Sequence, residues 1–300
     1  MKRFVYFAAI ALALAAIAAS PQKARAQQAP ATASQPPAVP GYTMPSTQMW
    51  DIASDTGQIY RIFVSFPGTE MPADGWPVLY VLDGNAMFAG FAEARRMQEY
   101  YDVGKIIVVG VGYPTDKAYD VRRLDDYTAP LLNPPPANLR SLAKYKSGGE
   151  DAFLDFLTGK LRSEIGKRFK INLDRQSLFG HSLGGLVALH TLYSRPQAFY
   201  SIVAASPSIE WNEQGILREE RDFAARLTGG KVNPPSRLMV VVGDVDRDDN
   251  PDVAQACAKR LELLSGYGLR TRFLRFEREG HMSVPARAVT ETLRFVTDGY

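Results

Sequence analysis

Cysteine is nearly absent. Cys257 is the only one in 300 residues, which excludes a disulfide framework, because bridges need pairs. The fold must therefore rest on a packed core. Cys257 itself lies at helical spacing among Val253, Ala254 and Leu261, the pattern of a core position. Histidine is scarce too, at three residues, and with a single cysteine no metal-ligand cluster stands out. After the N-terminal run Phe4 to Ala19, no stretch approaches the roughly 20 apolar residues that a membrane span needs. No internal repeat is visible.

Lys2 and Arg3 precede that apolar run, and Ala24-Arg25-Ala26 follows it. A basic start, a short apolar stretch and a small-residue site describe a secretory signal peptide, expected over residues 1–26 with cleavage after Ala26. Its removal takes away Lys2, Arg3, Lys23 and Arg25 and no acidic residue. Lys+Arg falls from 35 to 31 against 32 Asp+Glu, and the formal charge goes from +3 to -1. The basic excess thus belongs to the leader and is no ground for a nucleic-acid partner. The mature chain is expected to be periplasmic or secreted, with no membrane span. Residues 27–45, rich in Ala, Gln, Pro, Ser and Thr, read as a disordered leader. Residues 46–300 are long enough to bury one core as a single domain.

Within that domain strands and helices alternate. Gln48–Ala53 and Gln58–Phe66 flank Asp55-Thr56-Gly57 as a hairpin. Pro77–Leu82 and Ile106–Val111 are continuous apolar runs, as expected of strands buried on both faces. Tyr200–Ala205, Arg237–Val242 and Thr271–Phe276 read as further strands. Helices are expected at Met87–Tyr100, Glu150–Phe169, Arg218–Leu227, Val253–Leu264 and Val284–Val296. In the second of these, Phe153, Leu154, Leu157, Leu161 and Ile165 form one stripe. Such alternation implies a mostly parallel sheet with helices on both faces and an N-terminal antiparallel hairpin. Tyr113–Gly149, rich in Pro and Arg with little periodicity, has the length of a functional lid or mobile segment.

The most informative segment is Ser177-Leu178-Phe179-Gly180-His181-Ser182-Leu183-Gly184-Gly185. An apolar strand end runs through Gly-x-Ser-x-Gly into a helix, the context of a nucleophile elbow. Gly180 and Gly184 are expected to flank Ser182 because side chains there would meet the neighbouring chain. In this α/β-hydrolase arrangement the serine needs a base to take its proton. Of the three histidines, His181 adjoins the serine and should diverge from it, and His190 lies two turns along the helix as a packed residue. His281, between the last strand and the last helix, is the expected base. The orienting acid should follow the strand ending at Val242, where Asp244, Asp246, Asp248 and Asp249 compete. Asp246 is preferred for its Gly-x-x-Asp spacing, with Asp244 and Asp249 as alternatives. The run superficially resembles a calcium loop but lacks the Gly and distal Glu of an EF-hand. Oxyanion donors are expected from the backbone N–H groups of Leu183 and of Asn85, in the Asp83-Gly84-Asn85 turn.

Val78-Leu79-Tyr80-Val81-Leu82-Asp83-Gly84-Asn85 and the elbow together resemble the esterase-D-like esterases, a group that includes feruloyl esterases, mycolyltransferases and siderophore esterases. Val111-Gly112-Tyr113-Pro114-Thr115, Arg123-Leu124-Asp125-Asp126-Tyr127-Thr128 and Ala205-Ser206-Pro207-Ser208-Ile209-Glu210-Trp211 are similar to trilactone siderophore esterases of the enterobactin–salmochelin type, periplasmic ones among them. The resemblance implies a small-molecule ester substrate, hydrolysis of a catecholate siderophore by Ser182 and His281, and no cofactor. Iron would enter only as part of the substrate. It also implies that Arg123, Trp211, Asp83 and Tyr127 line the substrate site, with an ordinary ion-pair partner as the alternative for Arg123 and plain core as the alternative for Trp211. Glu210 stands where these esterases often place a second Trp, and Pro130 is displaced by Ala129. Some relatives work with a Ser–His dyad, which leaves the acid open. A general short-chain or aryl esterase and an acyltransferase share this chemistry. A non-catalytic siderophore- or glycan-binding protein would not need nucleophile, base and oxyanion segments in this order. Oligomeric state is not legible.

Overall fold

A computed structural model of the chain describes residues 42–233 and 237–297. The expected signal peptide and nearly all of the 27–45 leader lie outside the described residues. Eight strands form one sheet: β1 (Thr47–Ala53), β2 (Ile59–Ser65), β3 (Trp76–Leu82), β4 (Ile107–Gly112), β5 (Ile171–His181), β6 (Ser201–Ala205), β7 (Arg237–Gly243) and β8 (Arg270–Phe276). Their order is β1-β2-β4-β3-β5-β6-β7-β8. The β1–β2 hairpin is antiparallel and joins β4 antiparallel; all pairings from β4 to β8 are parallel. The expected mostly parallel sheet with an antiparallel hairpin at one edge is what the chain forms.

The helices are α1 (Gly84–Met97), α2 (Arg123–Asp126), α3 (Glu150–Asp155), α4 (Arg162–Arg168), α5 (Leu183–Ser194), α6 (Trp211–Gln214), α7 (Ile216–Thr228), α8 (Pro251–Glu262) and α9 (Val284–Thr297). Successive side chains of a strand point to opposite faces, and β3 divides accordingly. Val78, Tyr80 and Leu82 join a large cluster with α5 residues, while Leu79 and Val81 join a smaller one with α1 and α9 residues. An uninterrupted apolar strand thus feeds two cores, one on each face.

Three departures from the sequence reading have local causes. Helix α1 begins three residues earlier than expected, because Asp83 adopts a left-handed conformation (φ 51°) and its carbonyl accepts from Ala86 and Met87 N–H. The single helix expected over 150–169 is α3 and α4 joined through a π turn at Phe156–Leu161, where the Thr158 hydroxyl donates to the Leu154 carbonyl at 2.7 Å. Its apolar stripe is buried as expected. Lastly, the long segment between β4 and α3 is anchored. It contains α2 and a 3₁₀ turn at Ala137–Leu142, and buries Leu124, Tyr127, Leu139 and Leu142.

The C-terminal ends of parallel strands mark the ligand edge of such a sheet. Asp83 follows β3, Ser182 follows β5, Ser206–Ser208 follow β6, the aspartate loop follows β7 and His281 follows β8. Residues far apart in sequence therefore converge at one edge. Among the described residues no helix is long and apolar enough to cross a membrane.

Candidate active site

Ser182 sits between β5 and α5 with φ 59° and ψ -121°, a strained conformation for a residue with a side chain. The surroundings hold it there: its N–H donates to the Ala205 carbonyl at 3.0 Å, and its own carbonyl accepts from Leu186 and Ser208 N–H at 2.9 and 3.2 Å. The strand and helix meet so tightly that a Cβ on Gly180 would lie 1.9 Å from the Gly184 carbonyl oxygen. The second crowded glycine is Gly185, whose Cβ would lie 2.9 Å from Pro207 Cα. Gly184 corrects the sequence expectation: its Cβ would find nothing closer than Asp83 Oδ2 at 3.4 Å. It is the carbonyl of Gly184, not its α-carbon, that fills the tight space.

His281 is buried, and its Nδ1 bonds Asp246 Oδ2 at 3.0 Å, with both side chains only 1% exposed. Asp249 Oδ2 lies 3.6 Å from the same nitrogen. The outer imidazole nitrogen, Nε2, is buried without a hydrogen-bond partner. Burial alone would lower the imidazole pKa, but the Asp246 hydrogen bond and the Asp249 and Asp246 charges outweigh it and hold it above the ordinary value. Asp246 behaves in the complementary way. Burial pushes its carboxyl up, but the His281 bond and backbone N–H donors from Asp249 and Asp248 leave it below the usual range. Those donors reach Oδ1 at 3.1 and 3.0 Å, which leaves Oδ2 for the histidine. Of the competing aspartates, Asp244 bonds neither histidine nor serine; its Oδ1 is buried without a partner.

His181 diverges from Ser182, as expected, but has a partner that the sequence does not announce. Its Nε2 bonds the His281 carbonyl at 2.9 Å, and the two rings lie 4.6 Å apart. Burial, followed by the His281 and Arg123 charges, holds its pKa well below the ordinary value, so the ring is neutral and Nε2 donates. Ser208 is the other residue the sequence reading passed over. Its Oγ lies 3.4 Å from Ser182 Oγ and donates to Asp249 Oδ2 at 2.9 Å. Burial pushes the Asp249 carboxyl up to about 7. The signal was available: Ser208 lies in a segment that follows a parallel strand, on the same edge as the elbow.

The segment Arg123 to Thr128 folds against the turn that follows β3. The Arg123 guanidinium makes a two-pronged bond to Asp83, Nε to Oδ1 at 2.8 Å and Nη2 to Oδ2 at 2.9 Å, and both side chains are buried. Tyr127 has no exposed surface, and its hydroxyl accepts from Asp83 N–H at 3.1 Å. Asp126 accepts from the Tyr60 and Tyr113 hydroxyls at 3.0 and 2.8 Å. Asp83 thus joins Arg123 and Tyr127 in an internal brace, and Arg123 Nη2 also donates to the His181 carbonyl at 3.4 Å. Trp211 remains half-buried, packed against the larger core. Beside it Asn212, Glu213 and Gln214 all take positive φ, and the Asn212 amide clamps the long segment through Pro130 O and Leu132 N–H, both at 3.0 Å.

Leu183 opens α5, so its N–H is one of the unsatisfied donors of a helix start. Gly84 and Asn85 are the first two residues of α1, so their N–H groups are helix-start donors too. The Asn85 side chain is committed elsewhere, to Tyr113 and Thr115 carbonyls and Tyr113 N–H at 2.8–2.9 Å, which leaves its backbone N–H. His190 is a packed helix residue whose Nδ1 pairs with Glu219 at 2.6 Å. Two groups among the described residues bring three ligand-type atoms within 4.8 Å of one another: Glu150, His190 and Glu219, and Asp246, Asp248 and His281. The second is the acid–imidazole pair with one neighbour added.

A serine on a strained strand-to-helix turn, an acid-bonded imidazole and helix-start donors, all at one edge of this sheet, define an ester-hydrolysing enzyme of α/β-hydrolase fold. The chain belongs to the esterase family described as "Putative esterase", whose model matches residues 53–270. It is 36% identical over 265 residues to the ferri-bacillibactin esterase BesA of Bacillus subtilis, covering 85% of this chain and 90% of that one. It is 39% identical over 208 residues to the siderophore triacetylfusarinine C esterase of Aspergillus fumigatus, covering 67% and 68%. The solved structure of the BES protein from Bacillus cereus matches with TM-score 0.76 at 32% identity, covering 86% and 98%. Proteins named as an enterobactin esterase and an apo-salmochelin esterase are similar as well.

Proposed function

We propose that this chain is an exported serine esterase that hydrolyses the ester bonds of a siderophore, a catecholate trilactone above all. The observation that carries the mechanism is the His281 Nδ1–Asp246 bond at 3.0 Å with Nε2 left unpartnered, at the same sheet edge as a serine held on a strained turn. His281 Nε2 takes the Ser182 proton as Oγ attacks the ester carbonyl carbon. The imidazolium that forms is stabilised by Asp246. The Leu183 and Asn85 amides receive the oxyanion. The tetrahedral adduct collapses, His281 gives its proton to the departing alkoxide, and an acyl group remains on Ser182. Water, deprotonated by the same nitrogen, then attacks the acyl carbon, and as that adduct collapses His281 returns the proton to Ser182 Oγ and the acid leaves. Trp211 offers an aromatic face to a flat acyl group. The substrate class is supported by what the relatives are named for; export is supported by the charged, apolar and small-residue order of residues 1–26.

The test compares an iron-free and a ferric catecholate trilactone with a small p-nitrophenyl ester, using purified protein and Ser182→Ala as control. Far higher kcat/KM on the trilactone, lost in the variant, is the expected result. Turnover of the small ester alone would keep the mechanism and remove the substrate. Turnover retained by Ser182→Ala would remove the mechanism.

A further inference from the structure

The nucleophile and the aspartate loop are joined by a second route that does not pass through the imidazole. Ser208 grips the elbow twice. Its backbone N–H donates to the Ser182 carbonyl at 3.2 Å, and its Oγ lies 3.4 Å from Ser182 Oγ. Its hydroxyl proton points the other way, to Asp249 Oδ2 at 2.9 Å. All three residues are buried. A serine hydroxyl has one proton to give. Since Ser208 gives its proton to Asp249, the proton on the line between the two serines is that of Ser182. Asp249 is fixed in turn, because its N–H is held by Asp246 Oδ1 at 3.1 Å and α8 begins two residues later.

We propose that Ser208 is a positioning residue for Ser182, itself oriented by Asp249, so that a second carboxylate reaches the nucleophile: Asp246 through His281, and Asp249 through Ser208 in addition to its charge beside His281 Nδ1. This rests on the serine-esterase reading above. In the resting enzyme Ser208 accepts from Ser182 and keeps Oγ in one place while His281 Nε2 stands open. When a substrate carbonyl arrives, the Ser182 proton passes to Nε2 and Oγ forms its bond to carbon. Ser208 merely releases a hydrogen bond, and no bond at Ser208 or Asp249 is made or broken. The direction of the chain depends on Asp249 accepting. The groups that face Asp249 are His281, Asp246, Ser208 and Glu210. Of these only the imidazole supplies positive charge, so the formation of imidazolium favours the accepting carboxylate at the moment of attack.

The experiment measures kcat and KM on a p-nitrophenyl ester, and the rate of covalent labelling by a fluorophosphonate, for Ser208→Ala, Asp249→Ala, Asp249→Asn and the doubles Ser208→Ala/Asp249→Ala and Ser208→Ala/Asp246→Asn. Loss of one orienting hydrogen bond is expected to lower kcat and labelling about tenfold, with KM changed less than about twofold because ground-state binding is untouched. Asp249→Asn keeps an oxygen for the Ser208 hydroxyl and should lose less than Asp249→Ala. Residues acting on one route should not add, whereas residues on two routes should. The Ser208→Ala/Asp249→Ala double should therefore match its worse single, and Ser208→Ala/Asp246→Asn should multiply. Wild-type kcat in Ser208→Ala, or multiplying losses in Ser208→Ala/Asp249→Ala, would overturn the proposal. Should Ser208→Ala fail to fold, the Asp249 pair decides: equal losses in Asn and Ala overturn it, and a smaller loss in Asn upholds it. Turnover retained by Ser182→Ala would sink the serine-esterase reading itself. An inactive Ser182→Ala beside an unimpaired Ser208→Ala sinks only the positioning role.

Discussion

Gly180→Ala is the sharpest perturbation of the elbow. A Cβ there would lie 1.9 Å from the Gly184 carbonyl oxygen, where real Cβ contacts essentially never fall under 3.0 Å. The obstacle is backbone at the start of α5, so no side chain can swing away. Either β5 or the first turn of α5 must move by about 1 Å, and Ser182 lies between them; a misplacement of that size costs about 10²-fold in rate. Overpacking of this kind costs about 1–3 kcal/mol, or a Tm lowered by about 2–4 °C per kcal/mol for a domain of this size. Gly184→Ala is the control. Its nearest contacts would be 3.4, 3.6 and 3.8 Å away, all side-chain atoms, and a helical Gly-to-Ala change itself stabilises by up to about 1 kcal/mol. Gly184→Ala should therefore keep kcat within a few-fold and leave Tm unchanged or raised. Gly185→Ala, crowded by Pro207 and the Ala205 carbonyl at 2.9 and 3.0 Å, should fall between. The assay is kcat on a p-nitrophenyl ester beside a thermal melt. Equal losses for Gly180→Ala and Gly184→Ala, or a Gly180→Ala enzyme within threefold of wild type, would refute the packing argument.

Asp246→Asn removes the charge that the imidazolium faces, and loss of a charge-assisted hydrogen bond predicts a kcat lowered about 10- to 100-fold, less than His281→Ala. Because Asp246 helps hold the His281 pKa above its ordinary value, the acid limb of the kcat/KM profile should move to lower pH in this variant; a limb that stays or moves up would count against the assignment. Arg123→Ala leaves the buried Asp83 carboxylate without its partner and should cost about 3–5 kcal/mol in urea unfolding. Unchanged stability would refute the brace, and a raised KM would support the substrate contact that the resemblance implies. Glu150 is buried, and burial pushes its carboxyl up to about 7. Its folded state keeps a proton that the unfolded chain releases near its ordinary value, so stability is full below that value and is lost as pH rises through about 7. Glu150→Gln cannot titrate, so its Tm should exceed wild type at pH 8 and match it near pH 5; the same difference at both pH values would refute the linkage.

The sheet was legible because parallel strands buried on both faces are written as continuous apolar runs. Val78 to Leu82 and Ile107 to Val111 need no partner to be recognised. Element edges were less legible wherever one residue's conformation decides them. The early start of α1 follows from a left-handed Asp83, and nothing in Asp-Gly-Asn distinguishes that from an ordinary turn. Arg123-x-x-Asp126-Tyr127-Thr128 shows a different limit. The sequence presents an arginine in a long segment, and the resemblance assigns it to the substrate, but the Asp83 carboxylate that takes up the guanidinium lies 40 residues away in sequence and only folding brings them together. The same holds for His181, whose bond to the His281 carbonyl spans 100 residues.

The aspartate loop shows why counting candidates after β7 could not separate their roles. Asp246 and Asp249 are three residues apart, and both approach His281 Nδ1, at 3.0 and 3.6 Å. They differ in who solvates them. Asp246 receives two backbone N–H groups on Oδ1, which keep it charged despite burial. Asp249 receives one hydroxyl, from Ser208, and burial pushes its carboxyl up to about 7. A turn that folds its amides back onto its first carboxylate thus makes a permanent anion of Asp246 and a titratable one of Asp249. Asp246, at Gly-x-x-Asp spacing, is the residue on whose carboxylate the turn closes. Asp249 enters the site from two sides, 3.6 Å from His281 Nδ1 and through the hydroxyl of a serine that follows another strand.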